Sequence, residues 1–253
     1  MLGTAMSWRA TFWAVALLCV PAAVGILTGV RRRTEPALEE AEADASLAFE
    51  LAQLRAPRLL MAMLLGALVN GGTFAAFTFL TPVVTATAGL DEVWVPLALV
   101  LFGIGSFVGV TTAGRLCDRH PRLLLGLASP LLLLGWLALA LVATQPVLLM
   151  TLVFVQGVLA FAVGSTLIAR VLYAASEAPT TAGAYATVAL NIGAAAGPAL
   201  AAMALSGSSV LRPMWVAFVL TGIGLLMLLP SGADRTTEPA CRGRRVTHVD
   251  ARP

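Results

Sequence analysis

The sequence predicts an all-α integral membrane protein with about seven transmembrane helices, and its composition and its long apolar segments both point to this class. Of the 253 residues, 59% are hydrophobic and only 11% are charged, and the mean hydropathy is +0.91. A soluble domain carries about 25% charged residues, because these cover its water-facing surface. This chain has too few charges for such a surface, so lipid must surround much of it.

Seven uncharged apolar segments are long enough to cross the hydrocarbon core, which takes about 20 residues of α-helix. The second and sixth of them contain Asn, Thr and Gly and are therefore less apolar. All 13 acidic residues fall in the connections or the tails. The seven predicted spans are residues 11–30, 59–81, 93–113, 123–143, 147–169, 183–205 and 213–230.

The arginines predict the orientation of these spans. All 16 basic residues are arginine, a bias that together with the abundant Ala, Gly and Pro is typical of a bacterial gene rich in GC. Fourteen of them lie in alternate connections, and cytoplasmic connections are the ones that retain positive charge. We therefore expect a multi-pass protein of the bacterial plasma membrane, with the N-terminus outside and the C-terminus cytoplasmic. The net charge of +3 lies in the loops and does not indicate nucleic-acid binding.

The connection 31–57 is much longer than the others and has an acidic middle. Leu47, Leu51 and Leu54 then recur at helical spacing before Pro57. This spacing predicts a short amphipathic helix on the inner membrane surface. A linker without regular structure is the alternative.

Other classes of membrane protein fit the sequence poorly. A retinal protein needs a lysine for its Schiff base, and the chain has none. The two histidines, His120 and His248, lie in a connection and in the tail, and neither an H-E-x-x-H nor a G-x-S-x-G pattern occurs. The three cysteines are far apart and form no metal-binding pattern. We therefore expect neither an enzyme nor a metal site.

Residues 114–122, Gly-Arg-Leu-Cys-Asp-Arg-His-Pro-Arg, join the third and fourth spans. They resemble the G-x-L-x-D-R-x-x-R loop of the major facilitator superfamily at Gly114, Leu116, Asp118, Arg119 and Arg122. The resemblance implies an inner gate, in which Asp118 with Arg119 and Arg122 holds two helix ends together in one conformation. Positive-inside topology alone also produces a basic loop of this kind.

The second span carries a longer resemblance. Residues 66–82 are similar to the seventh helix of the superfamily's drug:proton antiporters, in the chloramphenicol-efflux and arabinose-efflux-like branch. Asn70, Phe74 and Thr78 share one helical face there, which suits a cavity wall for an amphiphilic drug. Gln156 falls where the tenth helix of the family lines the cavity, so these four are the expected substrate contacts. Alternatively, Asn70 hydrogen-bonds to a neighbouring helix and Phe74 packs.

Small residues mark the positions where helices are expected to pack closely. Two further stretches extend the resemblance: residues 8–15 are similar to the start of helix 6 of the family, and residues 191–198 to helix 11. The predicted packing residues are Gly71, Gly72, Gly193, Gly197 and Pro198.

These matches are collinear and together imply helices 6 to 12 of a twelve-helix fold built from two six-helix halves. Residues 1–30 would be helix 6, 31–57 a cytoplasmic linker, 58–230 the six-helix C-terminal half and 231–253 a cytoplasmic tail. Within that half, the spans 59–81 and 147–169 would line the cavity. The spans 93–113 and 183–205 would face the other half, and the remaining three would face lipid.

The function implied by the resemblance is secondary active transport, namely efflux of a small amphiphilic drug or metabolite in exchange for protons by alternating access. The proton gradient replaces any cofactor, and the expected partners are the lipid bilayer, the drug and an N-terminal half. Helices 1 to 5 have no counterpart, and no carboxylate lies within the seven spans. We therefore expect a truncated transporter that cannot couple export to protons alone. The alternative is a fragment without transport, or a half-transporter that needs a partner half.

Overall fold

The computed structural model describes residues 8–29, 47–117, 121–178, 180–205 and 209–228. These ranges consist of helices and short turns and contain no β-strand, which confirms the all-α prediction. The chain divides into two compact units, Met1–Leu47 and Ala48–Pro253. The first unit contains helix α1 (Trp8–Gly29), a 22-residue helix with Pro21 inside it.

A short helix, α2, covers Leu47–Ala52 and continues as a 3-10 turn over Gln53–Arg55. A short helix therefore occurs where the linker helix was predicted, while its place on the membrane surface stays a prediction. Six longer helices follow it, and together with α1 they overlap the seven predicted spans. They are α3 (Pro57–Thr78), α4 (Val95–Cys117), α5 (Pro121–Val142), α6 (Pro146–Ala174), α7 (Ala182–Ala204) and α8 (Arg212–Leu228).

Proline marks the start of three of these helices. Pro57, Pro121 and Pro146 begin α3, α5 and α6, where the missing N–H is not needed and the fixed backbone angle already suits a helix. The helices therefore start one or two residues before the predicted spans. Beyond α3, the chain makes a helical turn at Leu80–Pro82 and a wider π-helical turn at Val83–Thr87.

Five described helices, α3 to α7, are long and apolar enough to cross a membrane, and α8 is a shorter apolar helix of 17 residues. At 1.5 Å per residue the 29 residues of α6 extend over about 43 Å, more than the roughly 30 Å hydrocarbon core. Arg170 was predicted to follow the fifth span. It lies instead inside α6, in the last two turns of the helix.

Helix α3 lies at the centre of the second unit and packs against α6, α7 and α8. Over its apolar stretch 56% of the residues are buried, against 22% for α4 and 28% for α7. Helices α4 and α7 therefore leave broad faces uncovered in this unit. The core between the helices includes Leu65, Val69, Leu132, Trp136, Leu139, Leu149 and Val163.

The predicted packing glycines lie where helices cross. A methyl group built on Gly197 would lie 2.6 Å from the carbonyl carbon of Gly71, and one on Gly193 would lie 3.0 Å from the Gly71 nitrogen. Helices α3 and α7 therefore touch backbone to backbone, and Pro198 is inside α7 beside this contact. Gly72 faces α8 instead, where a methyl group would lie 2.9 Å from the hydroxyl oxygen of Thr221.

A second glycine crossing, which the sequence interpretation had missed, joins α4 to α6. Gly105 and Gly109 of α4 lie against the α6 backbone, and Gly157 of α6 lies against the α4 backbone at Phe102. The signal was in the sequence, because two glycines four residues apart in an apolar helix are typical of close helix packing.

Candidate functional site

The face of α3 that was predicted to contact substrate is only partly covered within this unit. Asn70 is half-buried, and its side-chain nitrogen donates a hydrogen bond of 2.7 Å to the carbonyl oxygen of Leu190 in α7. Phe74 is half-buried as well, and Thr78 is exposed. One of the two alternatives for Asn70, a bond to a neighbouring helix, is therefore present in this conformation. Thr78 is the member of the face that has the most open surface.

Aromatic rings connect this face to the interior. Phe74 meets Phe77 edge to face, with ring centroids 6.3 Å apart. Phe77 in turn lies 4.8 Å from Phe102 of α4, and Phe102 lies 6.0 Å from Phe161 of α6. The row of four rings therefore crosses three helices, and it gives this region an apolar, polarisable lining that suits aromatic ligands.

Gln156 is fully buried, in contrast to the other three predicted contacts. Its side-chain nitrogen donates to the carbonyl oxygen of Leu132 in α5 at 3.2 Å, and its side-chain oxygen lies against Gly135, where a Cβ would collide with it. It borders a cavity of about 10 Å³ together with Phe77, Phe102 and Trp136. Drug sites measure about 300–1,000 Å³, so a ligand reaches Gln156 only if these helices separate.

Most of the predicted inner gate lies outside the described residues. Asp118 and Arg119 fall in the gap between α4 and α5, and Arg122 is within α5 but its side chain is not described. Gly114 lies near the end of α4 and is exposed. The gate therefore stays a prediction.

A buried carboxylate that sequence interpretation did not single out lies in the linker. Glu50 of α2 is only 1% exposed, and one of its carboxylate oxygens accepts hydrogen bonds from the Thr180 hydroxyl at 2.5 Å and from the Thr181 backbone N–H at 3.0 Å. The Tyr185 hydroxyl donates to the backbone carbonyl of Glu50 at 2.7 Å. We call these four residues the Glu50 clasp. They join the linker to the start of α7.

The clasp places a negative charge at the N-terminus of α7. Thr181 is the residue that precedes the helix, and its own side chain makes no capping hydrogen bond. Backbone N–H groups at this end are unsatisfied within the helix and attract anions. The hydrogen bonds from Thr180 and Thr181 lower the pKa of Glu50 below its ordinary value, although burial acts in the opposite direction. Glu50 is therefore ionised at neutral pH.

A positive charge holds the other end of the same helix. Arg212, the first residue of α8, donates a hydrogen bond of 2.9 Å from its guanidinium to the carbonyl oxygen of Ala204, the last residue of α7. A cation at a helix C-terminus complements the helix dipole as an anion does at the N-terminus. Helix α7 is thus fastened at both ends by charges from other elements and at its middle by the glycine crossing with α3.

The described ranges contain no group of three His, Cys, Asp or Glu side chains that could hold a metal ion.

Comparison with known proteins identifies a family and several relatives to which this chain is similar. Residues 1–198 match the model of the Major Facilitator Superfamily. The chain is 58% identical over 238 residues to a chloramphenicol resistance protein of Streptomyces lividans, which covers 94% of this chain and 60% of that protein. It is 32% identical over 244 residues to the inner membrane transport protein YdhP of Escherichia coli K12, covering 95% of this chain and 60% of the relative.

A third relative, the purine ribonucleoside efflux pump NepI of Salmonella enteritidis, is 30% identical over 233 residues, covering 90% of this chain and 54% of the relative. The chain thus spans somewhat more than half the length of these bacterial relatives. The match to the family model covers most of the 253 residues, and the helices agree with it. The chain belongs to the Major Facilitator Superfamily and is a multi-pass membrane protein.

Proposed function

We propose that this chain forms the C-terminal part of a bacterial efflux transporter that exports a neutral, amphiphilic drug of the chloramphenicol type by alternating access and proton antiport. The observation that carries the substrate class is the 58% identity, along nearly the whole chain, to a chloramphenicol resistance protein. Identity to a nucleoside efflux pump is much lower, at 30%.

The α3 face supports a neutral aromatic substrate. Asn70 and Thr78 offer hydrogen bonds, while Phe74 begins the row of rings that extends towards α6. No acidic or basic residue lies in the middle of α3, so the face offers no charge to pair with an ionic substrate. We propose Asn70, Phe74 and Thr78 as substrate contacts, with Gln156 joining them only in a conformation that opens the α5–α6 contact.

The uncovered faces support the need for a second half. Among the five long apolar helices, α4 and α7 bury the smallest share of their apolar stretches, which fits a surface that packs against the other six helices of the fold. Since the spans contain no carboxylate, we propose that the proton-binding group belongs to that other half. The chain by itself is then not expected to transport.

A chimera tests this proposal. The segment of the Streptomyces lividans relative that precedes its matched region is fused to this chain and expressed in a chloramphenicol-sensitive host. We expect resistance and energy-dependent chloramphenicol efflux from the chimera, abolished by a protonophore, and neither from the chain alone. Asn70→Ala should weaken efflux at an unchanged membrane level, while Glu92→Gln, on an exposed connection, should not.

Two outcomes would contradict it. A chimera that is present in the membrane at a normal level but exports purine nucleosides and not chloramphenicol would refute the substrate class. Efflux by this chain alone would refute the need for a second half, and would leave the family assignment intact.

A further inference from the structure

The linker and α7 are joined by the Glu50 clasp, and this contact goes beyond the transport function proposed above. Glu50 and Thr180 are 130 residues apart in the chain, so the contact is tertiary and not a consequence of local helix geometry. It lies at the end of α3 from which the linker enters the bundle.

The clasp is built as a specific joint. Three hydrogen bonds, of 2.5, 3.0 and 2.7 Å, connect Glu50 to three residues at the α6–α7 turn and the first turn of α7. A fourth hydrogen bond lies next to the clasp on the surface. The side-chain nitrogen of Gln53 donates it to a carboxylate oxygen of Glu177 at 3.0 Å. The bonds that a carboxylate oxygen accepts are charge-assisted, and such bonds are among the stronger ones in proteins and are geometrically selective.

Apolar packing reinforces the joint. Leu54 and Ala56 of the linker pack on a buried cluster from the ends of α3, α6 and α7, which includes Leu59, Val171, Ala178, Ala182 and Tyr185. The opposite side of the linker helix is open, since Leu51 and Arg55 are exposed. The linker helix thus has one side bonded to the bundle and one side free.

The Glu50 clasp and the glycine crossing together hold α7 in place. Helix α3 follows the linker directly and crosses α7 at Gly71, Gly193 and Gly197. Any pivoting of α7 on that glycine crossing would move its N-terminus away from Glu50. Removing the carboxylate would leave that helix end without the anion that compensates its dipole.

We propose that residues 48–55 act as a strap, fastened by Glu50, that locks α7 against α3 and makes this part of the linker a fixed piece of the six-helix half. The strap prevents pivoting at the glycine crossing. The half then moves as one body that includes these residues.

Limited trypsin digestion of the full chain in detergent tests the strap without any transport assay. Trypsin cleaves after Lys and Arg, the chain has no Lys, and no Arg lies between Arg33 and Arg55. The peptide 34–55 is therefore released only when the bond after Arg55 is cut. Its rate of release follows the population of the opened strap when opening is fast relative to cleavage.

We expect Glu50→Ala to raise the rate of release about tenfold or more, and Glu50→Gln and Tyr185→Phe to raise it by smaller factors. Tyr185→Phe removes only the bond to the Glu50 backbone, so it keeps the charge. Glu92→Gln, an exposed acid on another connection, is the control and should release the peptide at the original rate.

An unchanged rate in Glu50→Ala would overturn the proposal, and so would an equal increase in the Glu92→Gln control. Should Glu50→Ala fail to accumulate, Glu50→Gln and Tyr185→Phe decide in the same way. Loss of drug export from the chimera with an intact strap would count against the proposed function alone.

Discussion

Glu50 shows at the scale of one residue how a linker side chain becomes part of a transporter bundle. Its carboxylate is buried, yet the hydrogen bonds from Thr180 and Thr181 lower its pKa below the ordinary value of 4.5. The same hydrogen bonds tie this carboxylate to the start of α7, so we interpret it as an anchor. Its charge is available whenever the pH is above about 4.5.

The lowered pKa predicts how stability depends on pH. A group whose pKa is lower in the folded state contributes stability that is complete above the unfolded pKa and is lost as the pH falls through the folded pKa. We expect Glu50→Gln to lower the Tm at pH 7 in detergent, and the difference to vanish as the pH falls below 4.5. A Tm difference that persists unchanged below the folded pKa would contradict this prediction.

Gln156 permits a second test at this scale. Its side-chain oxygen is buried without a described hydrogen-bond partner, a state that generally costs free energy. We expect Gln156→Met to change the free energy of unfolding by no more than about 1 kcal/mol, since it preserves volume and removes the unpaired oxygen. Chloramphenicol efflux by the chimera then distinguishes a Gln156 that contacts the substrate from one that only packs in the core. Normal efflux would show that Gln156 is not a substrate contact. Gln145→Met, at an exposed position before α6, is the control.

At the scale of elements, sequence pattern predicted the helices well because the bilayer sets their length and composition. The glycine crossing of α3 and α7 was also predictable, since Gly193 and Gly197 are four residues apart in an apolar helix. The burial of Glu50 could not be predicted from the sequence. In sequence it is one more acid in an acidic linker, and only the contact with Thr180, 130 residues away, removes it from water. Likewise, no sequence pattern shows whether the Gln156 side chain faces the substrate cavity or packs against α5.

The close contact of α3 and α7 at the glycine crossing predicts how a single added methyl group changes stability. In Gly197→Ala the new methyl would lie 2.6 Å from the Gly71 carbonyl carbon, a backbone atom that cannot move aside alone. We expect a loss of about 1–3 kcal/mol in the free energy of unfolding, from overpacking. Gly183→Ala, in the first turn of the same helix, meets nothing within 4 Å and is the matched control, which should be neutral or slightly stabilising. Equal effects from the two substitutions would contradict the close crossing.

At the scale of the whole molecule, the clasp fits the alternating direction of the helices that lie between its two parts. The linker and the α6–α7 turn meet at Glu50 and Thr180, so the two connections lie on the same side of the bundle. Four helices, α3 to α6, separate them, and an even number of crossings returns the chain to the side where it began. Both connections belong to the arginine-bearing set, which is expected to be cytoplasmic.

Reporter fusions test this orientation. We expect a fluorescent protein fused after Pro253 to be bright, because such reporters fold in the cytoplasm, and alkaline phosphatase fused after Asp91 to be active, because that enzyme needs the oxidising exterior. Phosphatase fused after Glu177, beside the clasp, should be inactive. The reverse pattern would invert the orientation but keep the clasp, since Glu50 and Thr180 would still share one side. Activity after both Asp91 and Glu177 would contradict the bundle itself, because three membrane helices, α4 to α6, lie between these positions.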